Sequence, residues 1–121
     1  MASYGLKFCT AVAAFCALAG TARAEEQPMT PEERSLLSCA MQAVTKAREA
    51  VRTSGKLLAG VPHMKIYDRI ERRIYEVLTA KGWTEDEVSE LLDEWYDVAD
   101  YGNAAASMAD VCKGIDPALW Q

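Results

Sequence analysis

Of the four cysteines, Cys9 and Cys16 sit in one N-terminal apolar run, while Cys39 and Cys112 lie far apart in the remainder of the chain. This division constrains the fold more than any other feature. Lys7 precedes an uncharged, Ala-rich apolar stretch over residues 8–19. Gly20 and Thr21 break it, and Ala22-Arg23-Ala24 then puts small residues on the near side of a cut after Ala24. Charge, short apolar run and small-residue site, in that order, are the pattern of a cleavable export signal. A membrane anchor would need about 20 apolar residues; this run is shorter, and Glu25 and Glu26 follow directly. A lipoprotein is disfavoured, because Phe15 precedes Cys16 where a small residue is required. The expected mature protein starts near Glu25 and is periplasmic or secreted.

Cleavage there leaves 97 of the 121 residues, enough for one domain with a limited core. It also leaves Cys39 and Cys112, 73 residues apart, as the remaining pair. In an oxidising compartment such a pair reads as a disulfide. Closing a loop of that length contributes about 4 kcal/mol in the chain-entropy view. No C-x-x-C is present and no basic cluster flanks either cysteine, so the expected role is structural rather than redox.

The rest of the chain reads as helices. Thr30-Pro31-Glu32-Glu33 is a helix start, with Thr as N-cap, Pro at the first position and Glu closing a capping box. Leu37, Met41, Val44, Ala47 and Val51 then form one apolar face, with Cys39 close to it beside Leu36 and Ala43, and Gly55 is the stop. Residues 57–61 are a short apolar connection. Pro62 begins a second helix with Ile66, Ile70, Ile74, Val77 and Leu78 as its stripe and Tyr67 at the edge. Gly82 ends it. Thr84-Glu85-Asp86-Glu87 repeats the capping box, with Trp83 and Val88 placed to form a hydrophobic staple. Val88, Leu91, Leu92, Trp95, Val98 and Ala99 form the third inner face. A break at Gly102-Asn103 and a fourth helix over residues 104–113 follow, and residues 118–121 are a tail. The expected fold is all-α, a small three- or four-helix bundle closed by one disulfide. The expected organisation is a signal over 1–24, an acidic lead-in over 25–30 and a single helical domain over 31–121.

Charge is unevenly distributed. Losing Lys7 and Arg23 leaves 11 basic against 18 acidic residues, a net of −7. Residues 34–82 carry +6, and residues 83–121 carry −9. Asp86, Glu90, Asp93, Asp97 and Asp100 step down one side of the third helix. They suit a docking surface for a basic partner or a divalent-cation site. They equally suit a solvated face pairing with Arg48, Arg52, Arg69, Arg72 or Arg73. The basic residues also follow helical faces. A nucleic-acid or anionic-lipid reading of them is set aside, because the mature chain is acidic and exported and no aromatic is interleaved with the basic run. Trp120, in the tail after Pro117, either covers the bundle end or anchors a partner.

Catalytic chemistry is not legible. His63 is the only histidine, and no G-x-S-x-G, P-loop, H-E-x-x-H or C-x-x-C-H occurs. No enzyme activity, cofactor or metal is expected.

The stretch from Lys81 through Gly82-Trp83-Thr84-Glu85-Asp86-Glu87 to Val88, with Leu91 and then Cys112, resembles uncharacterised short exported helical proteins of alphaproteobacteria. That group brings no activity to carry over. The format of the chain, exported, helical, near this length and with one disulfide, also resembles the HdeA-type periplasmic acid-stress chaperones. The tryptophan and acidic neighbours of that family's first cysteine are replaced here by Leu37-Ser38-Cys39-Ala40, so no residue carries over.

Three functions follow as expectations. The first is a non-enzymatic interaction or accessory protein of the cell envelope, binding another envelope protein or itself, with no membrane span in the mature chain and no nucleic acid. The second is an acid-stress chaperone whose bundle loosens as its carboxylates protonate. The third is a divalent-cation binder using the acidic helix face.

Overall fold

The computed structural model describes residues 29–98 and 104–121. The expected signal (1–24), most of the expected acidic lead-in, Ala99, Asp100 and the expected break at Gly102-Asn103 lie outside the described residues. Among the described residues, five α-helices and one 3-10 turn occur in the order α1 (Pro31–Ser54), η1 (Leu57–Gly60), α2 (Val61–Ala80), α3 (Glu85–Val98), α4 (Met108–Cys112) and α5 (Pro117–Trp120). Among the described residues there is no strand, so the fold is an all-α bundle.

The helix ends obey local hydrogen-bond rules. Thr30 Oγ1 accepts from the Glu33 N–H at 3.1 Å, and Glu33 Oε1 accepts from the Thr30 N–H at 3.0 Å. Two of the four orphan donors of α1 are thus satisfied reciprocally. At the other end Gly55 adopts φ 73°, and its N–H donates to the Val51 carbonyl.

The α2–α3 corner is the most completely specified turn. Gly82 (φ 103°) donates to Thr79 and Trp83 donates to Leu78, the two bonds of a Schellman ending. Thr84 and Glu87 then form the second capping box, at 2.8 and 3.1 Å. Trp83 is buried with both Leu78 and Val88. One indole therefore closes the end of α2 and staples the start of α3.

α1 is the central helix, touching η1, α2, α3 and α4. Its buried surface is wider than a single stripe. Leu36, Cys39, Ala40, Ala43, Gln42 and Thr45 are buried beside the expected Leu37, Met41, Val44 and Ala47. The reason is geometric: α2 and α3 pack on part of its surface while α4 uses another. Ile70, Ile74 and Leu78 of α2 and Val88 and Leu92 of α3 complete the core. Tyr67, expected at the edge of the α2 stripe, is buried and belongs to this core.

Cys39 and Cys112 are joined, with Cα atoms 4.9 Å apart, and both are fully buried. The link ties the middle of α1 to the end of α4.

Two expectations are corrected. The fourth helix spans Met108–Cys112, not residues 104–113. Ser107 caps it by accepting from the Asp110 N–H, and the Ala104 and Ala106 carbonyls accept from Lys46 and Gln42 of α1. Those carbonyls are held by α1 instead of by a helical turn. The tail holds a further helical turn that was not expected: Asp116 caps α5 by accepting from the Ala118 N–H.

Candidate interaction surface

The α1–α2 hairpin ends in a tip built by η1. Here the chain reverses with Lys56, Leu57, Leu58, Ala59 and Gly60, and Gly60 is buried against α1. A Cβ on Gly60 would lie 3.1 Å from Val51 Cγ2 and 3.2 Å from the Ala47 carbonyl oxygen. Only the glycine hydrogen lets η1 come this close. Both leucines of η1 face outward: Leu57 is 84% exposed and Leu58 is 80% exposed. Leaving each in water forgoes about 1.5–3 kcal/mol of burial. Core leucines such as Leu36, Leu37 and Leu78 are, by contrast, almost fully buried.

Beside the leucines lies an apolar groove of about 620 Å³. Ala47 and Val51 of α1 and Gly60, Val61 and Met64 at the start of α2 line it, with Leu57 at its mouth. Arg48, Arg52, Lys65 and Asp68 frame it. The rim thus carries three cations against one carboxylate. Arg52 pairs with Glu49 one turn back along its own helix. The Arg48 guanidinium lies 4.8 Å from the centroid of the Tyr96 ring, a cation–π contact that brings the far half of α3 beside the groove.

The other residues marked by the sequence are dispersed. Asp86, Glu90, Asp93 and Asp97 are exposed on α3, and Asp100 lies outside the described residues. None of these four pairs with an arginine among the described residues. Arg73 pairs with Glu76 of α2 at 3.4 Å, and Arg72 is exposed. Arg69 donates to the Leu119 and Gln121 carbonyls, both at 3.2 Å, so it holds α5 against α2. Trp120 is partly buried against the core. It covers the bundle end from that position. Cys39 and Cys112 form the crosslink described above.

One long-range ion pair was not anticipated. Lys81 at the end of α2 donates to Glu33 Oε2 at 2.7 Å, and the Glu33 side chain is only 4% exposed. Glu33 announced itself in sequence as a capping residue, and nothing local told of a partner 48 positions away.

Among the described residues, no three histidine, cysteine or carboxylate side chains converge to hold a metal ion. No helix among them is long and apolar enough to cross a membrane. No protein-family model, curated protein or solved structure matches the chain. The surface itself must therefore carry the functional argument.

Proposed function

We propose that this chain is a small exported, non-enzymatic interaction protein of the cell envelope, and that it docks through the tip of its α1–α2 hairpin. The observation that carries the reading is the outward placement of Leu57 and Leu58 beside an apolar groove. A domain with so limited a core gains from burying every leucine it can. Two adjacent, largely exposed leucines next to an apolar depression mark a contact surface. The cationic frame of Arg48, Arg52 and Lys65 adds a sign to that surface. The strongly acidic α3 keeps the molecule soluble and repels like-charged neighbours.

The reading is tested in cells with a photocrosslinking side chain in place of Leu58. A discrete adduct is expected there. None is expected from the same side chain at Thr79, which is exposed at the opposite end of α2. Indistinguishable products at the two positions would sink the reading.

A second reading, acid-responsive chaperone, draws on the Cys39–Cys112 link. Strong acid neutralises the carboxylates of the chain and leaves its basic charges to repel, while the Cys39–Cys112 link limits how far the bundle opens. Its test is protection of a client from aggregation at about pH 2–3, with circular dichroism alongside. A chain that opens without protecting the client does not have this function.

A further inference from the structure

We infer that the hairpin tip seats on an anionic membrane surface, with Leu57 and Leu58 entering the interface and Arg52, Lys56 and Lys65 meeting the headgroups. This rests on the docking reading above and names its partner.

The shape argues for a planar partner. A helix or peptide lying in the groove would cover Leu57, Val61 and Met64. It would leave Leu58 in water, because Leu58 does not line the groove although it is 80% exposed. A lipid interface covers Leu57, Leu58 and Val61 together, since η1 and the first residue of α2 place them at the end of the hairpin. Short protruding apolar segments flanked by cations bind membranes in this way, by apolar insertion plus attraction to anionic lipid.

The charge argues for an anionic partner. Arg48, Arg52, Lys56 and Lys65 surround the tip, against Glu49 and Asp68; Arg52 and Glu49 pair with each other, which leaves three cations against Asp68. A second copy docked face to face across a two-fold axis would oppose these cations to themselves. The acidity of α3 is divided: Asp93, Glu94 and Asp97 stand on the half that Tyr96 holds beside Arg48, and the rest is distant from the tip. Glu85, Asp86 and Glu87 open α3 at the far end of α2, roughly 30 Å from the tip for a helix of this length. Charges beyond a Debye length of about 8–10 Å are largely screened.

The experiment is co-sedimentation of the chain from Glu25, which includes every described element, with two kinds of vesicle. One is phosphatidylcholine alone, and the other is equal parts phosphatidylcholine and phosphatidylglycerol. Binding to the mixed vesicles is expected, at least about tenfold tighter than to the neutral ones, and weakened by salt. Leu57→Ser with Leu58→Ser is expected to lower binding at least about tenfold, with unchanged circular dichroism because neither side chain is in the core. Arg52→Gln with Lys56→Gln and Lys65→Gln is expected to erase the preference for the anionic vesicles.

No sedimentation with the mixed vesicles, or binding unmoved by the leucine changes, overturns the inference. If the vesicles fail but the Leu58 crosslinker still gives a discrete protein adduct, the membrane is wrong and the docking reading stands. Self-association lost in the leucine variant, without vesicle binding, identifies a second copy as the occupant and also overturns the membrane. If vesicles, crosslinking and self-association all fail, both readings fall.

Discussion

Glu33 and Lys81 lie at the start of α1 and the end of α2, and their 2.7 Å contact makes one carboxylate serve two purposes. Oε1 closes the capping box on Thr30 while Oε2 receives the Lys81 ammonium. Glu33→Gln keeps an oxygen for the cap and loses the ion pair, whereas Glu33→Ala loses both. Removing one partner of a buried pair costs about 3–5 kcal/mol at full burial. Lys81 keeps part of its side chain in water, so the cost for Glu33→Gln is expected nearer 2 kcal/mol. Glu33→Ala should cost about 1 kcal/mol more, the net value of the one hydrogen bond lost from the cap, since Thr30 Oγ1 still accepts from the backbone N–H of residue 33. Urea titrations of the three proteins measure both steps. Equal stability of the Gln and Ala variants would show that this hydrogen bond contributes nothing.

Reducing Cys39–Cys112 is expected to lower stability by about 4 kcal/mol, because the closed loop spans 73 residues. The loss should be uneven. α4 has five residues, too few to be helical without a tertiary anchor. The α1–α2–α3 core is built from other contacts. Amide exchange with and without reductant is therefore expected to show residues 104–121 losing protection first. Uniform loss across the chain would mean that α4 is integral to the cooperative core.

How much of this was legible in the sequence depends on the range of the interaction. The corner from Leu78 to Val88 was readable because its parts act within a few residues: Gly82 for the left-handed turn, Thr84 and Glu87 for the cap, Trp83 and Val88 for the staple. The disulfide was readable because the expected signal segment sets Cys9 and Cys16 apart and leaves Cys39 and Cys112 as the pair to join. The tip was not readable. Periodicity marks Leu57 and Leu58 as apolar but carries no information on whether anything packs on them, and in the fold both stay exposed while Gly60 rests on α1. The role of Arg69 was also hidden, since its partners are carbonyls 50 and 52 residues away. The start of α4 was misplaced because Ala104 and Ala106 favour helix locally, yet their carbonyls are claimed by Lys46 and Gln42.

Tyr67 gives the fold a sensitivity to alkali. Burial raises its phenol well above the ordinary value, and the Glu71 carboxylate raises it further by charge and as a hydrogen-bond acceptor. In the unfolded chain the phenol ionises near pH 10, at about its ordinary pKa. Below that pH the two states bind the same proton and Tyr67 gives no pH dependence. Above it the unfolded state loses the proton and the folded state keeps it, so stability falls as pH rises, by up to about 1 kcal/mol per pH unit. Tyr67→Phe removes the titration. Urea titrations at about pH 8 and about pH 11 should show a smaller alkaline loss in the variant than in the parent. Parallel losses would assign the effect to other groups.

The two glycines that frame the tip are expected to fail for different reasons, and the difference tests the packing of η1. Gly55 has φ 73°, and a Cβ there would meet nothing within 4 Å, so its constraint is backbone conformation alone. Gly55→Ala should cost about 1 kcal/mol, and Gly55→Asn less, because Asn tolerates the left-handed region. Gly60 has φ −85°, which any residue adopts, so its constraint is space alone. An alanine there gains about 0.4–1 kcal/mol from a stiffer unfolded chain. Against this, its methyl must crowd Val51 Cγ2 and the Ala47 carbonyl, and a helix carbonyl cannot rotate aside. Overpacking of this kind costs about 1–3 kcal/mol. The net expectation is a loss of about 1 kcal/mol for Gly60→Ala and a larger loss for Gly60→Asn. The order of Ala and Asn is therefore reversed between the two sites. Thermal unfolding of the four variants measures it, and Gly60→Asn as stable as Gly60→Ala would show that η1 does not rest on α1 as closely as these distances require.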